Sequence, residues 1–175
     1  MLLRQIYDSD LSQYAYIIGC EKTREAIVID PERDVDRYLA IATGEGLKLN
    51  AVAETHIHAD SVSGARELAC DPAMRVFLSA ESGPDWQSKW ARNLANVTLL
   101  RDGDTFKVGN IRFQALHTPA HTPEHLGYLV TDDGGGGNEP IALLSGDFLF
   151  VGVTRDEQKL RQRITSLLSY QSRCG

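Results

Sequence analysis

The sequence predicts an α/β (α+β) fold with candidate functional side chains at the ends of its strands. Three observations carry this. Strand-like and helix-like segments alternate through the first half, an antiparallel meander follows, and two histidine-bearing segments and a Gly-Asp each stand directly after a strand-like run. A chain of 175 residues is long enough for one domain with a sizeable core. Its 42% hydrophobic and 24% charged residues are ordinary for a soluble protein. The formal net charge of -6 offers no electrostatic footprint for a nucleic acid.

Taken in order, Leu2 to Tyr7 reads as a strand, and Tyr14 to Ile18 and Ala26 to Ile29 as two more around a polar turn, an antiparallel beginning. Asp30-Pro31 stops the third. Val35, Tyr38, Leu39 and Ala42 have helical spacing, closed by Gly44 and Gly46. Leu49 to Glu54 is a strand delivering Thr55-His56-Ile57-His58-Ala59-Asp60-Ser61, after which a helix-like segment holds Gly64, Leu68 and Ala69. Arg75 to Leu78 is a short strand. Ser82 to Asn93 carries Trp86 and Trp90 at i, i+4, a pair expected to pack against a core. Val97 to Leu100, Thr105 to Val108 and Ile111 to Leu116 are expected to form one antiparallel meander. Leu126 to Val130 is another strand, Gly134 to Gly137 a surface loop, and Ile141 to Leu144 a buried-type strand ending in Ser145-Gly146-Asp147.

No apolar run approaches the roughly 18 residues a spanning helix needs, and the N-terminus lacks a signal-peptide core, so the expected compartment is the cytoplasm with no membrane partner. Cys20, Cys70 and Cys174 form neither a Cys-x-x-Cys pair nor a disulfide set and read as free thiols.

Histidines at i and i+2 at a strand end project to the same side, and Asp60 follows two residues later. His117-Thr-Pro-Ala-His121-Thr-Pro-Glu-His125 is a second cluster, in which Pro119 and Pro123 exclude a regular helix and make a rigid loop. Asp147, after a glycine at a strand end, offers an acidic ligand. A Gly-Asp alone is a turn signal, and its weight here comes from the two histidine clusters.

Together, Thr-His-x-His-x-Asp, Thr-Pro-x-His-Thr-Pro and Ser-Gly-Asp resemble the signature of the metallo-β-lactamase fold, over about residues 1–152. Asp102-Gly-Asp-Thr-Phe106 and Val108-Gly109 resemble the superfamily's hairpin before the third motif. Within it, the three segments look most like the persulfide dioxygenase (sulfur dioxygenase) branch, including rhodanese-fused members. The resemblance implies an αββα sandwich and a metalloenzyme.

A dinuclear zinc hydrolase of this fold builds its second site from the motif aspartate, a further motif histidine, a shared aspartate and a late histidine. Here Ser61 stands in place of that motif histidine, and nothing after His125 supplies the late one. Asp60 and a share of Asp147 are too few ligands, so one metal per chain is expected. By resemblance, His56, His121 and Asp147 would be the ligands and catalytic residues of one Fe(2+). His58 and Asp60 would be outer groups orienting them, or alternative ligands. Two histidines and one carboxylate with open positions suit non-haem Fe(II) and O2 chemistry. The implied reaction oxidises a small-molecule persulfide, such as glutathione persulfide, with O2 to sulfite and thiol. His117 and His125 are read as structural or outer groups.

Two other readings stand beside this one. A Zn(2+) thioester hydrolase resembling hydroxyacylglutathione hydrolase would use His56, His58 and His121, and an inactive scaffold would keep only the fold. Residues 153–175 depart from the family pattern. From Thr154 they hold five Lys/Arg against two Asp/Glu, with a Leu160, Ile164, Leu167, Leu168 stripe, and read as a divergent, helical tail after a truncated second half. A truncated sandwich exposes a sheet edge, so a homodimer is an expected partner state, as is a separate rhodanese partner.

Overall fold

In the computed structural model, residues 1–59, 61–150 and 153–154 are described, with side chains up to Phe148. Asp60 and the proposed tail helix lie outside the described residues. Six strands, β1 (Leu2–Asp8), β2 (Gln13–Cys20), β3 (Glu25–Ile29), β4 (Lys48–Ala53), β5 (Arg75–Ser79) and β6 (Val97–Leu100), form one sheet in sequence order. The pairs β1/β2 and β2/β3 are antiparallel, and β3/β4, β4/β5 and β5/β6 are parallel. Four further strands, β7 (Thr105–Val108), β8 (Ile111–His117), β9 (Leu126–Asp132) and β10 (Ala142–Leu144), form an antiparallel sheet in the order β10-β9-β8-β7.

The parallel strands are apolar on both faces because both faces are covered. Along β3, Ala26 and Val28 point to a core shared with helix α1 (Val35–Gly44), while Ile27 and Ile29 point between the sheets. Val76 and Phe77 divide the same way on β5. Phe77, Phe106 and Phe113 stack at centroid distances of 3.8 Å and 4.9 Å, joining the two sheets through their middle.

Three expectations need correction, the sheet of Val97–Leu100, the packing of Trp86 and the burial of Ile141, and two further segments take a more specific form. Val97–Leu100 is not part of the antiparallel meander but the last parallel strand of the first sheet, because its apolar side chains complete the core beside β5. The stretch 82–93 forms two 3-10 turns, Pro84–Trp86 and Lys89–Ala91, since Pro84 and the positive φ of Ser82 and Gly83 break a continuous helix. Trp90 packs against the helix-side core as expected, but Trp86 remains 38% exposed. The helix after the first motif is a single turn, α2 (Ala65–Leu68). Finally, among the described residues Ala142–Leu144 is an edge strand, and Ile141 before it is exposed. Among the described residues, no helix is long and apolar enough to cross a membrane. Cys20 is buried and Cys70 exposed, both as free thiols.

One buried carboxylate gives the fold a pH dependence. Glu32, just after β3, lies 3.2 Å from Arg37 Nη1, which also reaches Asp8 at 3.3 Å. Burial, then the neighbouring Asp8, pushes the Glu32 carboxyl up to about 7. The folded state therefore holds this proton more tightly than the unfolded chain, whose carboxyl titrates near 4.5. Its stabilising contribution is complete below that lower value and is lost as pH rises through the higher. Glu32→Gln is expected to flatten the fall in melting temperature between roughly pH 5 and 8, read by thermal unfolding across pH. A slope equal to that of the wild type would refute it.

Candidate metal centre

The centre is assembled at the ends of β4 and β8 and in the turn after β10. The Leu126 N–H donates to Thr55 O at 2.7 Å, and the Ile57 N–H donates to Glu124 Oε1 at 2.8 Å, so the two histidine-bearing segments are tied directly together. The prolines hold the second segment as an ordered loop. His117 Nε2 donates to Pro123 O at 2.8 Å, and the Thr118 N–H donates to His125 O at 2.9 Å.

His56, His121 and Asp147 are brought together, with one ligand atom from each all within 4.8 Å of one another. Asp147 Oδ2 is 3.8 Å from His56 Nε2 and 3.5 Å from His121 Nε2. Such spacings suit three ligands around one ion at metal–ligand distances near about 2.1 Å. Asp30, at the end of β3, prepares His56 for this role. Its Oδ1 accepts from the Thr55 N–H at 2.6 Å and its Oδ2 from Thr55 Oγ1 at 2.8 Å, and that hydroxyl lies 2.9 Å from His56 Nδ1. With the Thr55 hydrogen committed to Asp30, the chain assigns a proton to His56 Nδ1 and leaves Nε2 as a free donor atom. Burial and the nearby His58 lower the His56 pKa, which keeps the imidazole neutral as a metal ligand must be. The residues present therefore fit a metal ion held by His56, His121 and Asp147.

His58 is placed elsewhere. Its Nε2 lies 3.1 Å from Glu54 Oε2 and 3.4 Å from Asp30 Oδ1, and its Nδ1 lies 3.2 Å from Gln13 Nε2. Burial opposes charge on this ring, but the hydrogen bonds and negative charge of Asp30 and Glu54 prevail and push it up to about 11. Asp30, Glu54 and His58 form a second group, separate from His56, His121 and Asp147.

His125 is fully buried, stacked at 5.1 Å on His56, with Nδ1 2.8 Å from Thr118 Oγ1. Burial, then the adjacent His56, pushes its pKa down to about 3, so it packs as a neutral ring. Gly146 is pressed against it. A Cβ there would lie 2.5 Å from His125 Nε2 and 2.6 Å from Thr55 Oγ1, and the residue's φ is +50°. Gly146→Ala is expected to shift Asp147 and weaken metal binding by roughly tenfold or more, as measured by metal titration. Unchanged affinity would count against the role given to this turn.

A small, open cleft lies beside His56, with Ile57, Leu78 and Trp86 as apolar walls and Glu54, Ser79, Ser88 and Glu124 as polar ones. Glu124 is buried, and its Oε2 has no hydrogen-bond partner among the described residues. Sequence reasoning missed Asp30, Glu54, Thr55 and Glu124 as supports of the centre. An acidic residue closing the strand next to the motif strand was the available signal for Asp30.

A family model described as the metallo-beta-lactamase superfamily matches residues 8–168. The chain is 30% identical over 134 residues to the mitochondrial persulfide dioxygenase ETHE1 of Bos taurus, across 75% of this chain and 49% of that protein. It is 35% identical over 141 residues to a hydroxyacylglutathione hydrolase-like protein of Gallus gallus, across 79% of this chain and 45% of the relative. The crystal structure of a metallo-beta-lactamase from Staphylococcus aureus subsp. aureus COL superposes with a TM-score of 0.83 at 44% identity, over 89% of this chain and 46% of that one. The chain thus spans about half the length of the curated relatives it matches. With two packed sheets, three ligand-bearing strand ends and a family match over most of its length, this chain belongs to the metallo-beta-lactamase superfamily.

Proposed function

We propose that the protein is an iron-dependent persulfide dioxygenase, in which one persulfide, one O2 and one water yield one thiol and one sulfite. The observation that carries this reading is the ligand set itself. Two histidines and one carboxylate converge, while the additional motif histidine is engaged by Asp30 and Glu54. When bound, ferrous iron supplies the one-electron chemistry that O2 requires. The chain's residues supply the rest. Asp30 and Thr55 hold the His56 ring in one orientation, Asp147 adds a carboxylate, and Ile57, Leu78 and Trp86 give the cleft beside His56 an apolar wall. The likeness to a persulfide dioxygenase supports the same reading.

The test is anaerobic reconstitution with Fe(II), followed by oxygen uptake and sulfite release on glutathione persulfide. Equal amounts of O2 consumed and sulfite formed are expected. Stoichiometric zinc as isolated, with no oxygen consumption after iron loading, would overturn the proposal.

A second reading is a zinc thioesterase, favoured by the likeness to a hydroxyacylglutathione hydrolase-like protein. It requires His58 to leave its two carboxylates. Hydrolysis of a hydroxyacylglutathione by the zinc-loaded protein would support it.

A further inference from the structure

We infer that Glu54 is a positioning residue that fixes how many histidines reach the metal, by holding His58 away from His56, His121 and Asp147. This rests on the reading of those three residues as the metal site. The motif itself does not decide the number, since His56 and His58 sit two residues apart with ring centroids 4.2 Å from each other. Their surroundings differ. His56 has one nitrogen engaged, by Thr55, and the other directed to Asp147. His58 has both nitrogens engaged, Nδ1 by Gln13 and Nε2 by the carboxylates of Glu54 and Asp30.

Of the two carboxylates, Glu54 is the one given to His58. Both oxygens of Asp30 already accept from Thr55. Glu54 accepts from the Ser63 hydroxyl through Oε1 and faces His58 with Oε2, which has no hydrogen bond to any other described residue. The Glu54 backbone is fixed as well, because its carbonyl accepts from Tyr128 Oη at 2.7 Å. The side chain is only 9% exposed and its Oε2 is buried, so water cannot readily substitute for it at His58. With His58 held, the ligands are two nitrogens and one oxygen, with positions left open. With His58 released, three nitrogens and one oxygen would complete a tetrahedral set of the kind zinc prefers.

X-ray absorption at the iron edge of the Fe(II)-loaded full chain counts coordinated imidazoles and tests this without reference to turnover. Two are expected in the wild type and in His58→Ala. Three are expected in Glu54→Ala, together with a preference for Zn(II) over Fe(II) raised roughly tenfold in competition dialysis. Glu54→Gln should return the count to two, because its amide oxygen can still accept from His58 Nε2. A folded Glu54→Ala protein with two imidazoles would overturn the inference. So would a wild-type count of three that falls to two in His58→Ala, a comparison that decides the matter even if Glu54→Ala does not fold. Oxygen uptake on glutathione persulfide is recorded separately. Two imidazoles without uptake would sink the dioxygenase reading and leave the role of Glu54 standing, and three with uptake would do the reverse.

Discussion

His121→Ala is expected to strip the protein of its metal while leaving the fold intact. His121 contributes Nε2 at 3.5 Å from Asp147 Oδ2, and its side chain is 41% exposed. Its removal opens no void in either hydrophobic core, so the metal-free melting temperature should change by less than about 2 °C. Removing one of three ligands costs more than disturbing a group that merely orients a ligand, for which losses run to roughly 100-fold. Metal affinity should therefore fall by more than about 100-fold, and, on the proposed dioxygenase reading, oxygen uptake on a persulfide should disappear with it. Metal content after dialysis, measured beside a thermal melt, separates the two effects. Full retention of iron by the variant would show that the three-residue group is not the metal site.

Asp30→Ala is expected to act on both stability and the site. Asp30 is 4% exposed and accepts from the Thr55 N–H, the Thr55 hydroxyl and His58. Hydrogen bonding from the buried His58, working against the burial itself, holds its carboxyl below the ordinary range, so it is ionised at neutral pH. Its loss leaves a buried cation short of one counter-charge and a backbone N–H without its acceptor. Breaking such a buried pair costs about 3–5 kcal/mol. For a domain of this size that corresponds to a drop in melting temperature of roughly 6–20 °C. The freed Thr55 hydroxyl would no longer fix the His56 tautomer, so metal affinity should fall by about 10–100-fold in whatever fraction remains folded. A melting temperature within about 2 °C of the wild type would refute the central place given to Asp30.

The strands of the first sheet and helix α1 were legible because their signals are local. Alternating or continuous apolar runs, Asp30-Pro31 and the glycines at the end of α1, Gly44 and Gly46, mark them within a few residues. The same local reading placed Val97–Leu100 in the wrong sheet, because a four-residue strand carries no information about which neighbour it will pair with. The choice was made by Val76 and Leu78, some twenty positions earlier, whose core its side chains join. The stretch around Trp86 and Trp90 has helical spacing, yet Pro84 and two positive-φ residues override it.

For the site, the sequence by itself determined where ligands could stand: His56, His58, His121 and Asp147 each follow an apolar run that becomes a strand, and a strand end is where a side chain can face an open crevice. Ser61 set the expectation of one metal per chain, since a hydroxyl is a poorer zinc ligand than an imidazole. Only the tertiary structure decided which of two neighbouring histidines stands with His121 and Asp147. That choice depends on Asp30, brought in from the adjacent strand, and on Glu54 as the Ser63 hydroxyl and the Tyr128 phenol fix it. Ring orientation is set by hydrogen bonds inside a buried environment, and such bonds join residues that the sequence keeps far apart.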